Sequence, residues 1–147
     1  MPPGEFGGSY INDLFTNSLD AGVHDYFREI CHLKVSSHLL IDRQGVVTQY
    51  VSFDKRAWHA GASEFQGRMR FNDFSIGIEL EGTDWLPYNA CQYTRLAELI
   101  LTLKKNYPQI KSSNLVGHST ISPGRKTDPG PAFDWWRLRG LLTAFGE

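Results

Sequence analysis

The order of hydrophobic and polar positions along the chain predicts a series of helices. Apolar residues recur at helical spacing, three or four positions apart, in several segments. Pro108 follows the longest of these segments and ends it, because proline cannot continue a helix. We predict helices at residues 20–34, 90–106 and 132–145, with a short helical turn near 11–15.

Other segments show the alternation that is typical of strands. Residues 37–41 and 46–52 flank a turn in which Gly45 supplies a left-handed position, so they predict a hairpin. In residues 75–81 the apolar side chains Ile76, Ile78 and Leu80 share one face of a strand. The remaining predictions are a short strand at 114–116, an irregular segment at 54–73 and a loop at 118–131.

This alternation of strands and helices predicts an α/β or α+β fold, with a mixed central β-sheet flanked by helices. The length of 147 residues suits one domain, 1–147, with a sizeable core. Four Trp, six Tyr and nine Phe indicate a well-filled core, an aromatic binding surface, or both.

Charge and composition exclude several classes of protein. A net charge of −1 argues against a nucleic-acid binder, and no apolar run approaches the length of a membrane span. The start, MPPGEFGGSY, lacks the cationic and apolar regions of a secretory signal. Cys31 and Cys91 lie far apart, so neither a disulfide framework nor a cysteine metal site is expected. We therefore expect a cytoplasmic protein.

One loop carries the residue types of a metal site. Residues 117–131 read GHSTISPGRKTDPGP, a stretch dense in proline and glycine. His118, Lys126 and Asp128 lie on it, and a histidine nitrogen and an aspartate oxygen are common zinc ligands. The same spacing also fits a surface loop in which Asp128 merely caps the helix that follows Pro129.

Glu79 lies on the strand face opposite the apolar residues. A carboxylate beside a metal ion can accept a proton from the attacking water. The alternative is that Glu79 and Glu81 are ordinary charged residues on the solvated face of a half-buried sheet.

The histidines outside this loop carry less information. His24 and His32 flank or lie on the first helix and are interpreted as structural. His38 and His59 each fit a metal ligand, a substrate contact or a hydrogen-bonded polar residue. The H-E-x-x-H and G-x-S-x-G motifs are absent from the sequence, so neither a metalloprotease nor a serine hydrolase is supported.

Four runs of sequence together resemble a known enzyme family. They closely resemble the AmpD-type zinc N-acetylmuramoyl-L-alanine amidases, which cleave 1,6-anhydro-N-acetylmuramyl-L-alanine bonds, and the resemblance covers nearly the whole chain. It implies a cytoplasmic enzyme of cell-wall recycling that acts on a small muropeptide, is monomeric, and binds neither nucleic acid nor membrane. The runs are VSSH at 35–38, FDKRAWHAG at 53–61, NDFSIGIELEGT at 72–83 and GHSTISPGRKTDPGPAFDW at 117–135.

The resemblance also implies roles for the residues of the active site. His118 and Asp128 match two of the family's three zinc ligands. Glu79 matches the catalytic acid and base, which takes a proton from water and passes it to the leaving nitrogen. Lys126 matches the residue that stabilises the oxyanion.

Three further residues match positions that contact substrate in the family. Trp58 matches a wall of the muropeptide cleft, and Arg70 matches a position that meets peptide carboxylates. Lys34 stands where close relatives have arginine, and lysine does not offer the same bidentate contact to a carboxylate.

The sequence departs from the family at its third zinc ligand. In the family this ligand is a histidine on a first strand, just upstream of a P-P-G-E-F motif, and here that motif begins at Pro2. The domain is therefore expected to be truncated at its N-terminus. Three explanations stay open: a start at an internal methionine, a truncated and inactive muropeptide-binding remnant, or substitution of the ligand by His38 or His59.

Overall fold

The computed structural model describes Pro2 and residues 4–146 and confirms the predicted class, a mixed sheet flanked by helices. Met1, Pro3 and Glu147, which the predicted domain includes, lie outside the described residues. The elements in chain order are α1 (Tyr10–Phe15), α2 (Asp25–Ile30), β1 (Leu39–Ile41), β2 (Val47–Gln49), β3 (Glu64–Phe65), β4 (Arg68–Met69), β5 (Ile78–Leu80), α3 (Ala90–Asn106), α4 (His118–Ile121) and α5 (Trp135–Ala144).

The central sheet has three strands in the order β2-β1-β5. β1 and β2 form the predicted antiparallel hairpin, with Gly45 at φ +79° in the turn. The Asp42 carboxylate accepts hydrogen bonds from the backbone N–H groups of Gln44 and Val46, and this closes the turn. The ordered pairing, Leu39–Ile41 with Val47–Gln49, is shorter than the predicted strands.

β5 pairs parallel with β1, and Glu79 lies opposite Leu40. Ile78 and Leu80 pack against the hydrophobic core, as the alternation predicts. Because successive side chains of a strand point to opposite faces, Glu79 is directed away from that core.

The connection from β2 to β5 contains structure that the sequence interpretation missed. β3 and β4 form a small antiparallel hairpin within the segment predicted to be irregular. Gln66 and Gly67 both have positive φ, at 52° and 75°, as a two-residue hairpin turn requires. The predicted strand at 114–116 is wrong, because the chain forms a 3-10 turn at Ser112–Asn114 instead.

The first long helix was predicted too long. α2 begins only after His24, which is extended and whose Nδ1 accepts a hydrogen bond from the N–H of Tyr26 at 3.0 Å. Val23 and Leu33, which lie within the predicted helix 20–34, are 54% and 40% exposed. The apolar spacing therefore does not mark a helix at either end of the predicted range. A turn at Asp20 and the His24 cap determine where the helix starts.

α3 covers the predicted residues 90–106, and its apolar stripe forms much of the core with α5 and β1. Tyr107, which was assigned to the same stripe, is 40% exposed. The core side chains on α3 are Tyr93, Leu96, Ala97, Ile100 and Leu103.

Two buried polar side chains connect the sheet to its surroundings. Gln92 on α3 is fully buried and donates from Nε2 to the carbonyl oxygens of Glu81, at 2.9 Å, and Ile41, at 3.4 Å. The Glu81 carboxylate is also buried and accepts from the N–H groups of Gly7, at 2.7 Å, and Arg43, at 3.0 Å. Glu81 is therefore not a solvated surface residue, which corrects that alternative.

Candidate active site

His118 and Asp128 meet directly at the start of α4. His118 Nδ1 lies 3.1 Å from Asp128 Oδ2. The backbone N–H of Ser119 donates to the Asp128 carbonyl at 2.9 Å, and this holds the two segments together. A Cβ at Gly117 would lie 2.6 Å from Pro129, so only glycine permits this close approach.

This contact excludes the surface-loop alternative for Asp128. The residue that caps α5 is Asp134, whose carboxylate accepts from the N–H of Arg137 at 2.9 Å. Asp128 is instead half-buried and directed at His118. Residues 118–121, predicted to be loop, form the single turn of α4 that places His118.

Glu79 lies close enough to this pair to interact with it electrostatically. Burial raises the pKa of Glu79, the charge of Asp128 raises it further, and His118 and Lys126 oppose the shift. Burial also acts to raise the pKa of Asp128, but the hydrogen bond and charge of His118, together with Lys126, outweigh it, so that this pKa is lowered. The pKa values of the two carboxyls are therefore shifted in opposite directions.

A cavity of about 240 Å³ opens between β5 and α4. Glu79, His118 and Asp128 all line it. Lys126 is exposed and lies within electrostatic reach of Glu79 and Asp128. The polar and glycine residues of the lining include His59, Gly77, Glu79, Tyr88, His118 and Asp128.

His38, one of the two candidates for a substituted ligand, is a structural residue. It is 1% exposed, its Nδ1 accepts from the N–H of Gly77 at 3.0 Å, and its Nε2 lies 3.0 Å from the carbonyl oxygen of Lys55. Both ring nitrogens are therefore engaged within the protein, and the interpretation as a hydrogen-bonded polar residue is confirmed.

His59 lines the cavity and lies against the backbone of Gly77, with Ser75 Oγ 3.5 Å from its Nε2. Burial lowers the pKa of His59 to about 4, and the charges of His38 and His118 contribute to the shift. The imidazole is therefore neutral at physiological pH.

The side-chain atoms of His118 and Asp128 have the chemistry of zinc ligands. A histidine nitrogen and a carboxylate oxygen 3.1 Å apart fit two neighbouring positions of a zinc ion that binds each at about 2 Å. The other ring nitrogen, Nε2, lies 3.0 Å from the carbonyl oxygen of Ala60, the outer contact that orients metal-binding histidines. No third His, Cys, Asp or Glu within Pro2 and residues 4–146 joins them. His118 and Asp128 thus fit zinc as two of its ligands.

The three residues that match substrate positions lie outside the cavity lining. Trp58 is 51% exposed, with the Arg56 guanidinium 4.2 Å from the centre of its ring. Arg70 has φ +65° and places Nε 3.3 Å from the Asp73 carboxylate. Lys34 is exposed to solvent. They are available to a ligand that extends beyond the cavity.

Sequence interpretation missed two residues of this site. Tyr88 lines the cavity and donates to the Pro129 carbonyl at 3.3 Å, and burial raises its pKa to about 12. Arg125 lies on the loop 117–131 and contacts Ala60 and His118. In the sequence, the only indication of a role for Arg125 is its position next to Lys126.

A larger cavity of about 780 Å³ adjoins this one, and Phe71, Ser75, Ile76, Ile78, Asn114 and Leu115 line both. The larger cavity contains none of the residues that carry the predicted chemistry. Among the described residues, no helix has the length and apolar character needed to cross a membrane.

Comparisons with known proteins identify the same family as the four runs of sequence do. The sequence model of the N-acetylmuramoyl-L-alanine amidase family matches residues 9–131. The 1,6-anhydro-N-acetylmuramyl-L-alanine amidase AmpD of Salmonella typhimurium (strain SL1344) is 60% identical over 142 residues, which are 97% of this chain and 75% of that protein.

Solved structures agree with the sequence matches. A crystal structure of a selenomethionine AmpD derivative has a TM-score of 0.93 and 59% identity, covering 96% of this chain and 78% of that one. The amidase AmiD from Escherichia coli, in complex with the substrate anhydro-N-acetylmuramic acid-L-Ala-D-gamma-Glu-L-Lys, has a TM-score of 0.69 and 34% identity, covering 80% of this chain and 51% of that one.

Proposed function

The chain belongs to the N-acetylmuramoyl-L-alanine amidase family, and from that premise we propose that it hydrolyses the amide bond between 1,6-anhydro-N-acetylmuramic acid and L-alanine. The observation that carries the proposal is the convergence of Glu79 on the His118–Asp128 pair across one cavity. A base of raised pKa opposite a histidine–carboxylate pair is the arrangement that metal-assisted amide hydrolysis requires.

Zinc is the proposed cofactor, with His118 Nδ1 and Asp128 Oδ2 as two of its ligands. When bound, zinc lowers the pKa of water to about 7 and polarises a carbonyl group. The chemistry of the two donors and the outer contact from Ala60 support this assignment.

Glu79 is the proposed general base and acid. Its carboxylate accepts a proton from the attacking water and then delivers it to the leaving nitrogen of L-alanine. Burial supports this role, because a carboxyl whose pKa is raised binds the proton more readily than one in water. The ammonium of Lys126 stabilises the oxyanion of the tetrahedral intermediate, which forms when the water attacks and lasts until the leaving nitrogen receives the proton.

Substrate binding is proposed to extend from the cavity to Trp58, Arg70 and Lys34. The exposed face of Trp58 suits an apolar sugar or lactyl surface, and the two cations suit the carboxylates of a stem peptide. The physiological form of the proposal is a monomeric, cytoplasmic enzyme that acts on recycled muropeptides. Its support is the likeness to AmpD.

Binding of muropeptides without turnover is the second candidate. The observation that favours it is that the described residues supply only two zinc ligands, whereas a catalytic zinc usually has three. The presence of Glu79 and Lys126 opposes it, because a binding module needs neither a general base nor an oxyanion contact.

The two candidates are separated by the Glu79→Gln variant, measured with zinc and an anhydromuramyl tripeptide. An amidase loses about 10²–10⁴ in kcat while its affinity for the tripeptide is retained. Glu29→Gln, at an exposed position on α2, is the matched control and keeps the wild-type rate. Binding of the tripeptide without release of the peptide by the wild-type chain would establish the second candidate instead.

A further inference from the structure

The carbonyl oxygen of Ala60 is held by two side chains from the loop opposite. Arg125 Nη2 donates to it at 2.6 Å, and His118 Nε2 lies 3.0 Å away. The N–H of the same residue donates to the amide oxygen of Asn72 at 2.7 Å. Hydrogen bonds therefore hold both the N–H and the carbonyl group of Ala60, and the bond from Arg125 is the shortest of them.

Arg125 also contacts the rest of the segment around Ala60. Nη2 donates to the Ala62 carbonyl at 3.0 Å and to Ser122 Oγ at 2.7 Å, and Nε donates to the Ala62 carbonyl at 3.2 Å. Gly61 has φ +59°, and a Cβ there would lie 3.1 Å from the guanidinium. The segment thus curves closely around the guanidinium.

The contact of Ala60 with His118 has a consequence for the imidazole. A carbonyl oxygen can only accept, so Nε2 carries the proton when this hydrogen bond forms. The ring orientation set by this contact also brings Nδ1 within 3.1 Å of Asp128 Oδ2, and when a metal ion replaces the hydrogen bond between these two atoms, the lone pair of Nδ1 faces the metal. Whatever fixes the Ala60 carbonyl therefore also fixes the ligand atom of His118.

We propose that Arg125 is a positioning residue, which holds the Ala60 carbonyl and through it directs His118 Nδ1 toward Asp128. The inference rests on the proposed function, in which these two residues bind the metal. The contact of Arg125 with His118 is at Nε2, 3.2 Å away, whereas the proposed ligand atom is Nδ1. The acceptors gather around Nη2, and Nε adds a second contact to the Ala62 carbonyl, so a lysine ammonium could replace the contacts of Nη2 but not that of Nε.

The sign of the effect on zinc affinity tests this role. Nη2 lies 3.2 Å from His118 Nε2, so electrostatics alone would make Arg125→Ala bind a dication more tightly. Positioning predicts the opposite, a loss of about tenfold or more in the affinity for Zn²⁺ measured by titration calorimetry. Arg125→Lys, which keeps the charge, shows an intermediate loss, and Arg139→Ala on α5 is the control with unchanged affinity. Equal or tighter binding by the alanine variant would overturn the proposal.

A measurement without metal separates this proposal from the proposed function. The ring signals of His118 are assigned in carbon–proton NMR spectra by their loss in His118→Asn. In the wild type they form one sharp set, whereas in Arg125→Ala, with the other histidine signals retained, they move toward free-histidine shifts or broaden. Unchanged His118 signals in a folded Arg125→Ala protein contradict positioning. If the wild-type chain binds no zinc, the metal assignment fails and this spectrum alone decides the role of Arg125.

Discussion

The imidazole of His59 packs directly on the backbone of Gly77, the residue that precedes β5. A Cβ at this glycine would lie 2.5 Å from His59 Cγ and 2.7 Å from Nδ1, closer than atoms can pack. Gly77 also holds the fold together from its backbone, because its N–H donates to His38 and its carbonyl accepts from Ser37 Oγ at 2.9 Å. These hydrogen bonds hold the Gly77 backbone in place, so it cannot shift to make room for a side chain beside the His59 ring.

Gly77→Ala is therefore expected to destabilise the protein by about 1–3 kcal/mol, the usual cost of overpacking. The free energy of unfolding in urea measures it. The double variant with His59→Ala is expected to recover part of the loss, since it removes the atoms that clash. Gly140→Ala is the matched control: nothing lies within 4 Å of a Cβ there, and α5 should gain up to about 1 kcal/mol.

Acid is expected to destabilise the fold through His59. Its pKa is lowered from 6.5 to about 4, so the unfolded chain takes up a proton that the folded chain excludes, and the free energy of unfolding falls as pH drops through this window. The full effect is about 3 kcal/mol for such a shift, at about 1.4 kcal/mol per pH unit. His59→Asn should flatten the profile of unfolding free energy against pH. The exposed His32→Asn should leave it unchanged, and a parallel wild-type and His59→Asn profile would count against the burial argument.

Glu79 is expected to act in the opposite direction. The pKa of this acid is raised by burial, so the folded state retains a proton that the unfolded state releases, and stability falls as pH rises above the ordinary value of 4.5. Glu79→Gln should be more stable than the wild type at neutral pH, with the difference disappearing in acid. Urea unfolding at several pH values tests this. A Glu79→Gln protein that is less stable than Glu29→Gln at neutral pH would refute it.

Gln92 is expected to be the most costly polar side chain to remove from the core. Gln92→Leu leaves the Glu81 carbonyl without its 2.9 Å hydrogen bond and the N–H of Asn89 without its 3.0 Å bond. The Ile41 carbonyl loses a 3.4 Å contact but keeps the N–H of Glu81 at 2.9 Å. We expect a loss of about 2–4 kcal/mol, since each buried unsatisfied group costs about 1–3 kcal/mol. Gln44→Leu, in the exposed turn between β1 and β2, should change stability by less than about 0.5 kcal/mol. If the two variants lost equal stability, the hydrogen bonds of Gln92 would contribute nothing to the free energy of unfolding.

Local patterns were sufficient to predict much of the fold. The stripe of α3 and the Asp42–Gly45 turn are encoded by neighbouring residues, and both were predicted correctly. The parallel pairing of β1 with β5 depends on residues some forty positions apart, so periodicity alone does not indicate it. The predicted start of α2 is wrong because the His24 cap, and not the apolar spacing, determines where the helix begins.

The residues of the candidate site also fall into those that the sequence predicts and those that it does not. His118, Asp128 and Glu79 were predicted because their side chains carry the chemistry and the surrounding runs resemble a family. The Ala60 carbonyl and the place of Arg125 could not be, since a backbone oxygen has no signature in the sequence and its direction depends on tertiary packing. His38 and His59 look alike as sequence, and only burial and ring contacts distinguish a structural residue from one that lines the cavity.

The buried carboxylate of Glu81 has a consequence for the order in which the molecule folds. It binds backbone groups of Gly7 and Arg43, which lie 74 and 38 positions away along the chain. Those partners come into reach only after β5 has paired with β1, because closing so long a loop is entropically unfavourable until other contacts hold it. The segment around Gly7 is therefore expected to dock late in folding and to open first, so that its opening precedes the separation of β1 from β5.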